Sequence, residues 1–235
     1  MGKGALIRET PGMRVYQSDA SADRFAVEFT NDAVECGAEK SPMFPGKGAL
    51  NMKIAAALFK RLEDCGVATH FAREAGGSEM ETVAARIIPA RVAVRNMVSD
   101  EFAARTRLAA GSILPVTIIE FNVKMDAGKE FQPGMRARVY TEVTDGDVKT
   151  MRTRAAQVNK ALQPFLYKRG IALADYYLEF GKDSNDFFRV CGALTPDTCS
   201  FWSRDTLEKL DKDRYLRPMR GSETAAGIVL KALTA

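Results

Sequence analysis

The sequence predicts an α+β protein of two lobes, a small β-rich lobe over residues 1–90 and a larger α+β lobe over 91–235, with a ligand cleft between them. Three observations carry this prediction. Short β-rich runs and a single helix make up the first part. A long amphipathic helix occupies 148–169, and two strand-like runs follow it.

Taken in order, "MRVYQSD" and "RFAVEFTND" form a hairpin across the polar "SDASAD". A loop rich in Gly and Pro runs through "AVECGAEKSPMFPGKG". "ALNMKIAAALFKRLEDCG" is a helix, with Leu50, Ile54, Leu58 and Leu62 on one face and Gly66 as its left-handed stop. "VATHFARE" and "ETVAARIIPARVAVRN" supply about three strands, with a connection expected near "IIPA". The segment 97–147 is the least legible: "ILPVTIIEFNVKMD" holds a strand and "AGKEFQPGMRARV" reads as loop. From Val148 to Arg169, apolar residues recur at steps of three and four, and Gly170 ends the helix. Pro164 is expected to kink its last turn. "DTLEKLDKDR" reads as a helix start, with Asp205 and Glu208 spaced as a capping box, and "SETAAGIVLKALTA" as the final helix.

Charge and composition exclude several classes. A net charge of +4 is too small and too dispersed for nucleic acid, but it suits an anionic small molecule. The sequence has no apolar run of the roughly 18 residues that a membrane span needs. "MGKGALIRETPG" lacks the apolar core of a signal peptide, so a cytoplasmic location is expected. Cys36, Cys65, Cys191 and Cys199 have no zinc-site spacing, and burial is the expected role of Cys36 and Cys191. The single histidine, His70, sits among apolar neighbours and reads as structural.

"LADYYLEFGKDSNDFFRVCGALTPDTCSFW" is the most informative stretch. Its first strand puts Asp175, Tyr177 and Glu179 on one face. A hard cation held there would want a second carboxylate across the ladder, and the facing residues are Cys, Gly and Ala.

Several segments, in order over roughly 12–217, resemble the SAICAR synthetase family. They are "FPGKGALNMKIAAALFKRLEDCGVATHF", "IIPARVAVRN", "IIEFNVKMD", "AAQVNKALQPFLYKRGIALADYYLEFG" and "LTPDTCSFWSRDTLEKLDKDRYLR". The resemblance implies two α+β lobes with ATP between them. It also implies ligation of aspartate to a carboxyaminoimidazole ribotide in purine biosynthesis, with Mg and ATP as cofactors. By position it implies Lys124 near the nucleotide, Glu179 as metal carboxylate, Arg95 at the ribotide, and Asp197, Lys212, Asp213 and Arg214 around the substrate cleft. A homo-oligomer is implied in the same way.

The chain departs from the family pattern at its charged positions. The family's Gly-Lys-x-Lys reads Thr10, Pro11, Gly12 and Met13, leaving Arg8 and Arg14 as the nearest cations. Glu101 stands where a phosphate-binding Ser is expected, Tyr177 replaces a lysine, Gly192 a second metal carboxylate, and Ser200 an arginine. Three functional readings therefore stand together. The first is the family ligase, with Glu179, Lys124 and Glu101 as catalytic residues. The second is another enzyme on the same scaffold, with a cleft lined by Glu101, Tyr177, Glu179 and Cys191. The third is a non-catalytic binding protein.

Overall fold

A computed structural model describes residues 2–10, 12–32, 43–123, 132–133, 143–212, 214 and 222–234. Two antiparallel sheets make the frame. The first contains β1 (Lys3–Thr10), β2 (Met13–Ser18), β3 (Arg24–Phe29), β4 (Phe71–Gly76) and β5 (Glu79–Val83), in the order β1-β2-β3-β5-β4. The second runs β10-β9-β6-β7-β8, from β6 (Ala85–Met97), β7 (Ile113–Val123), β8 (Gln132–Pro133), β9 (Ile171–Asp183) and β10 (Phe188–Cys191), while β11 (Cys199–Ser203) also pairs with β9. The chain changes sheet at Ala84, so the expected division at 90/91 falls inside β6. This α+β architecture is the expected fold class.

The helices cover the sheets as their apolar stripes dictate. Helix α1 (Lys47–Asp64) packs on the first sheet and buries Ile54, Leu58 and Leu62, and Gly66 with φ 76° stops it. Helix α3 (Asp145–Lys168) buries Met151, Ala155, Val158 and Leu162 against β9 and its neighbours. It begins three residues before Val148, because the hydroxyl of Thr144 accepts from the Asp147 amide at 3.0 Å and Asp147 Oδ2 accepts from the Thr144 amide at 3.1 Å. Pro164 lies inside it, and the helix continues to Lys168. The last helix, α4 (Ser222–Thr234), packs on α1. The substitution Thr144→Ala removes the cap from α3. It is expected to cost about 1 kcal/mol, read as a thermal midpoint lower by about 2–4 °C.

Two expectations change, and two elements are added. "IIPA" is not a connection between strands: Pro89 sits in a bulge between Ile87 and Arg91, where the register against β9 shifts within one long strand. A bulge leaves a ladder position unpaired, which is where proline's missing N–H is tolerated. "DTLEKLDKDR" does not start a helix at Asp205: residues 205–212 are non-helical, and Arg214 is helical. Leu207 adopts a left-handed φ of 57°, the Ser203 amide donates to the Glu208 carbonyl, and the Asp205 carboxylate takes the Arg204 guanidinium rather than capping. The illegible middle contains a short helix, α2 (Asp100–Thr106), capped by Ser99. β1 was also unread in the sequence: it is a sheet-edge strand whose Leu6 and Ile7 are exposed, so it lacks the alternation of a half-buried strand.

Candidate active site

Strand β9 is the axis of the site. Asp175, Tyr177 and Glu179 alternate onto one face, and β6 places Arg95, Ala93 and Arg91 directly opposite them. The face is a ladder of acids matched to arginines, with a tyrosine between them.

At one end Arg95 is 1% exposed, yet it remains charged. Burial alone lowers its proton affinity, but Glu120, Asp175 and Glu101 more than reverse that. Its Nε donates to Glu120 at 2.7 Å, Nη1 to Asp175 at 2.7 Å and Nη2 to Glu101 at 3.3 Å. Ser99 Oγ adds a 2.5 Å bond to Asp175.

In the middle, the Arg91 guanidinium lies 3.7 Å from the centre of the Tyr177 ring. The Tyr177 hydroxyl donates to both oxygens of Glu101, at 2.8 and 2.7 Å. Burial and the Glu101 charge push the phenol up to about 12, so Tyr177 is a proton-bearing donor at neutral pH. Burial alone raises the Glu101 carboxyl, but Tyr177 and Arg95 outweigh it and hold the group below its ordinary range.

At the other end Glu179 faces Cys191 across the ladder. Both its oxygens are taken by Arg8, at 2.9 and 2.7 Å. Arg8 belongs to β1 of the other sheet, so this bidentate pair ties the two sheets together across the cleft. Burial again raises the Glu179 carboxyl, and Arg8 followed by Arg91 brings it below the ordinary value. Gly192, next to Cys191, has φ 77°, and a Cβ there would lie 3.1 Å from Glu179 Oε2. A side chain at this position would press Glu179 aside by a few tenths of an ångström and strain the left-handed backbone.

The turn after β10 buries Asp197 against α1. Asp197 Oδ2 accepts from Lys47 Nζ at 2.5 Å and from Asn51 Nδ2 at 2.7 Å, and Lys47 Nζ also donates to the Asp32 carbonyl at 2.9 Å. Asp197 Oδ1 is buried without a hydrogen-bond partner among the described residues.

Two cavities share Arg8, Met13, Ile87 and Gly192 in their walls. The first, about 640 Å³, has apolar walls that include Val15, Phe25, Val27 and Ile87. The second, about 500 Å³, is lined by Arg91, Tyr177, Glu179, Thr195 and Asp197 among others.

Comparison with known proteins decides the family. The sequence model of the SAICAR synthetase family matches residues 12–232. The chain belongs to the SAICAR synthetase family. It is 34% identical to the phosphoribosylaminoimidazole-succinocarboxamide synthase of Deinococcus radiodurans, covering 100% of this chain and 99% of that one. It is 36% identical to the synthase of the same name from Pyrococcus abyssi, covering 86% and 89%. A solved SAICAR synthetase in complex with ADP superposes with a TM-score of 0.89 at 32% identity over 97% of both chains. The synthase from Ehrlichia chaffeensis superposes with a TM-score of 0.91 at 26% identity, covering 98% and 99%.

Against that family the expected site residues sort as follows. Tyr177, Glu179 and Asp197 come together on the second cavity, and Glu101 and Arg95 stand behind Tyr177. Lys212 and Arg214 line neither cavity. The Lys212 amide donates to the Pro196 carbonyl at 2.9 Å, and buried Arg214 bonds the Glu208 carboxylate and the Lys209 carbonyl. Lys124, Asp213 and Cys36 lie outside the described residues. Cys191 is buried behind Glu179, with its thiol pushed up first by burial and then by the Glu179 charge, as its structural reading expects. His70 is buried edge-on to Phe59 at 5.1 Å, again as the structural reading expects.

The Mg that the family implies does not fit the described residues around Glu179. Magnesium takes oxygen ligands in near-octahedral geometry. Among the described residues no three His, Cys, Asp or Glu side chains cluster to hold a metal. Glu179, the expected metal carboxylate, already has a guanidinium on both oxygens.

Sequence reasoning passed over Arg91, Lys47 and Asn51. Arg91 carried a usable signal, since Arg91 and Arg95 share one strand face with the same period that joins Asp175 to Glu179. Lys47 and Asn51 carried none, because their partner Asp197 is 150 and 146 residues away.

Proposed function

We propose that this chain is an ATP-dependent carbon–nitrogen ligase of the SAICAR synthetase type, acting in purine biosynthesis on an anionic small molecule. The observation that carries this reading is the full-length likeness to the ADP-complexed enzyme, combined with two cavities that share one arginine. The apolar walls of the first cavity suit a nucleotide base, and Arg8 stands where the phosphates would leave it. The second cavity suits the two partners of the bond. Arg91 brings positive charge to an anion, the Thr195 hydroxyl lines the same wall, and the buried Oδ1 of Asp197 is an acceptor of the kind a substrate amine requires. The chemistry is transfer of a phosphoryl group to a carboxylate, followed by displacement of phosphate by the amine. A cytoplasmic location and a homo-oligomer belong to the same reading.

One observation favours a second reading, an enzyme rebuilt for a less phosphorylated ligand. The cleft cations are already engaged by carboxylates, Arg8 by Glu179 and Arg95 by Asp175, Glu101 and Glu120. Phosphate release from ATP decides between them. The ligase reading expects release only when aspartate and the carboxyaminoimidazole ribotide are both present. Release that ignores either one, or none at all, counts for the rebuilt cleft.

A further inference from the structure

We propose that Arg8 takes the place of a divalent cation at Glu179, so that this cleft holds the phosphate end of a nucleotide without a bound metal; the inference rests on the nucleotide reading above. Four observations converge. Arg8 binds both oxygens of Glu179, which is the coordination a metal would otherwise use. The neighbouring position that would add a second carboxylate is Gly192, at a left-handed φ and with Glu179 Oε2 3.1 Å from where a Cβ would lie. No metal-ligating cluster exists among the described residues. Arg8 lines both cavities, and of the four residues they share (Arg8, Met13, Ile87 and Gly192) it is the one with a charge.

The chemistry of the guanidinium makes the substitution workable. Arginine carries five N–H donors in a planar fork, of which Glu179 uses two. The same fork binds phosphate as readily as carboxylate and stays charged at any working pH. Its side chain is 30% exposed, so an incoming anion can reach it. A metal-held triphosphate is released by chelators, whereas an arginine-held one is not. Glu179 then acts as a competing acceptor that keeps Arg8 placed in the empty cleft and opposes the ligand's charge when it arrives.

The test is calorimetric titration of the whole chain with ADP, once in EDTA and once in excess Mg²⁺. The affinity in EDTA is expected to stay within about threefold of that in Mg²⁺. Arg8→Ala is expected to lose at least tenfold in EDTA and to recover much of that when Mg²⁺ is added, because Glu179 is then released to hold it. Glu179→Gln, which keeps shape and removes the opposing charge, is expected to tighten binding in EDTA severalfold. Wild-type binding that falls tenfold or more in EDTA overturns the proposal, as does an Arg8→Ala chain that binds like wild type. If ADP binds under neither condition, the nucleotide reading fails, and tripolyphosphate in EDTA then tests Arg8 alone. Tripolyphosphate binding that Arg8→Ala abolishes upholds the arginine site, and no such binding removes it.

Discussion

Replacing Arg95 with Met is expected to destabilise the protein by about 3–5 kcal/mol, because it strands buried carboxylates without their cation. Asp175 is 4% exposed, and its described partners are Arg95 and the Ser99 hydroxyl. Glu120 keeps Arg105 at 2.7 Å, so its loss is smaller. The measurement is a denaturant midpoint at constant slope, since a changed slope would mean a changed unfolded or native state. Arg95→Lys is expected to fall between wild type and Arg95→Met: it keeps the charge but cannot serve three acceptors in one plane. The double variant Arg95→Met with Asp175→Asn is expected to recover a substantial part of the loss by removing the unpaired buried charge. An Arg95→Met chain as stable as wild type would contradict the account of the ladder as a charge-matched unit. Glu101 and Glu120 sharpen the same test. Their folded carboxyls lie below the ordinary 4.5, so their stabilisation is present above that pH and is lost as pH falls through the lower folded values. Removing Arg95 is expected to weaken this acid dependence.

His70 is expected to govern stability between pH 6.5 and 4. Burial holds its folded value down to about 4 from the usual 6.5, against smaller opposing effects of Glu179 and the Gly192 backbone. The sign follows from proton uptake. Between those two values the unfolded chain binds a proton that the folded chain refuses, so unfolding becomes more favourable as pH falls. The stabilisation is full above 6.5 and is exhausted near 4. At about 1.4 kcal/mol per pH unit, the loss across that window is roughly 3 kcal/mol. His70→Gln carries no titrating ring and is expected to flatten this slope while leaving the carboxylate-driven loss below pH 4 in place. A slope unchanged in His70→Gln would assign the window to another group. The same surroundings agree with a structural His70. The ring is neutral at working pH, packed edge-on against Phe59, and its Nε2 has no hydrogen-bond partner among the described residues.

Much of the fold was legible because the relevant signals are local. The stripe Ile54–Leu58–Leu62, the stripe of α3 and the glycines at 66 and 170 are read within one or two turns of chain, and all lie where expected. The failures share a different cause. "DTLEKLDKDR" has the composition of a helix start, but the bridge between Trp202 and Lys209 and the left-handed Leu207 fold it back along β11. "IIPA" contains a proline, which locally reads as a break, but ladder pairing on either side carries the strand across as a bulge. Helix α2 has seven residues and buries only Phe102, too short a stretch for periodicity to register.

The site divides along the same line. By itself the sequence determined the family, through ordered motifs over most of the chain, and it determined that Asp175, Tyr177 and Glu179 share a face and that no carboxylate stands opposite Glu179. Side-chain alternation along a strand is a property of the backbone, so it needs no partner to be read. Only the tertiary structure decided what those groups touch. Arg8 and Glu179 are separated by 171 residues, Arg95 and Asp175 by 80, and Lys47 and Asp197 by 150. Charge pairing is set by distance and burial after the sheets have assembled, and a linear sequence holds neither. The sequence could report that phosphate-binding lysines were absent. The tertiary structure decided that Arg8 of β1 reaches Glu179 of β9.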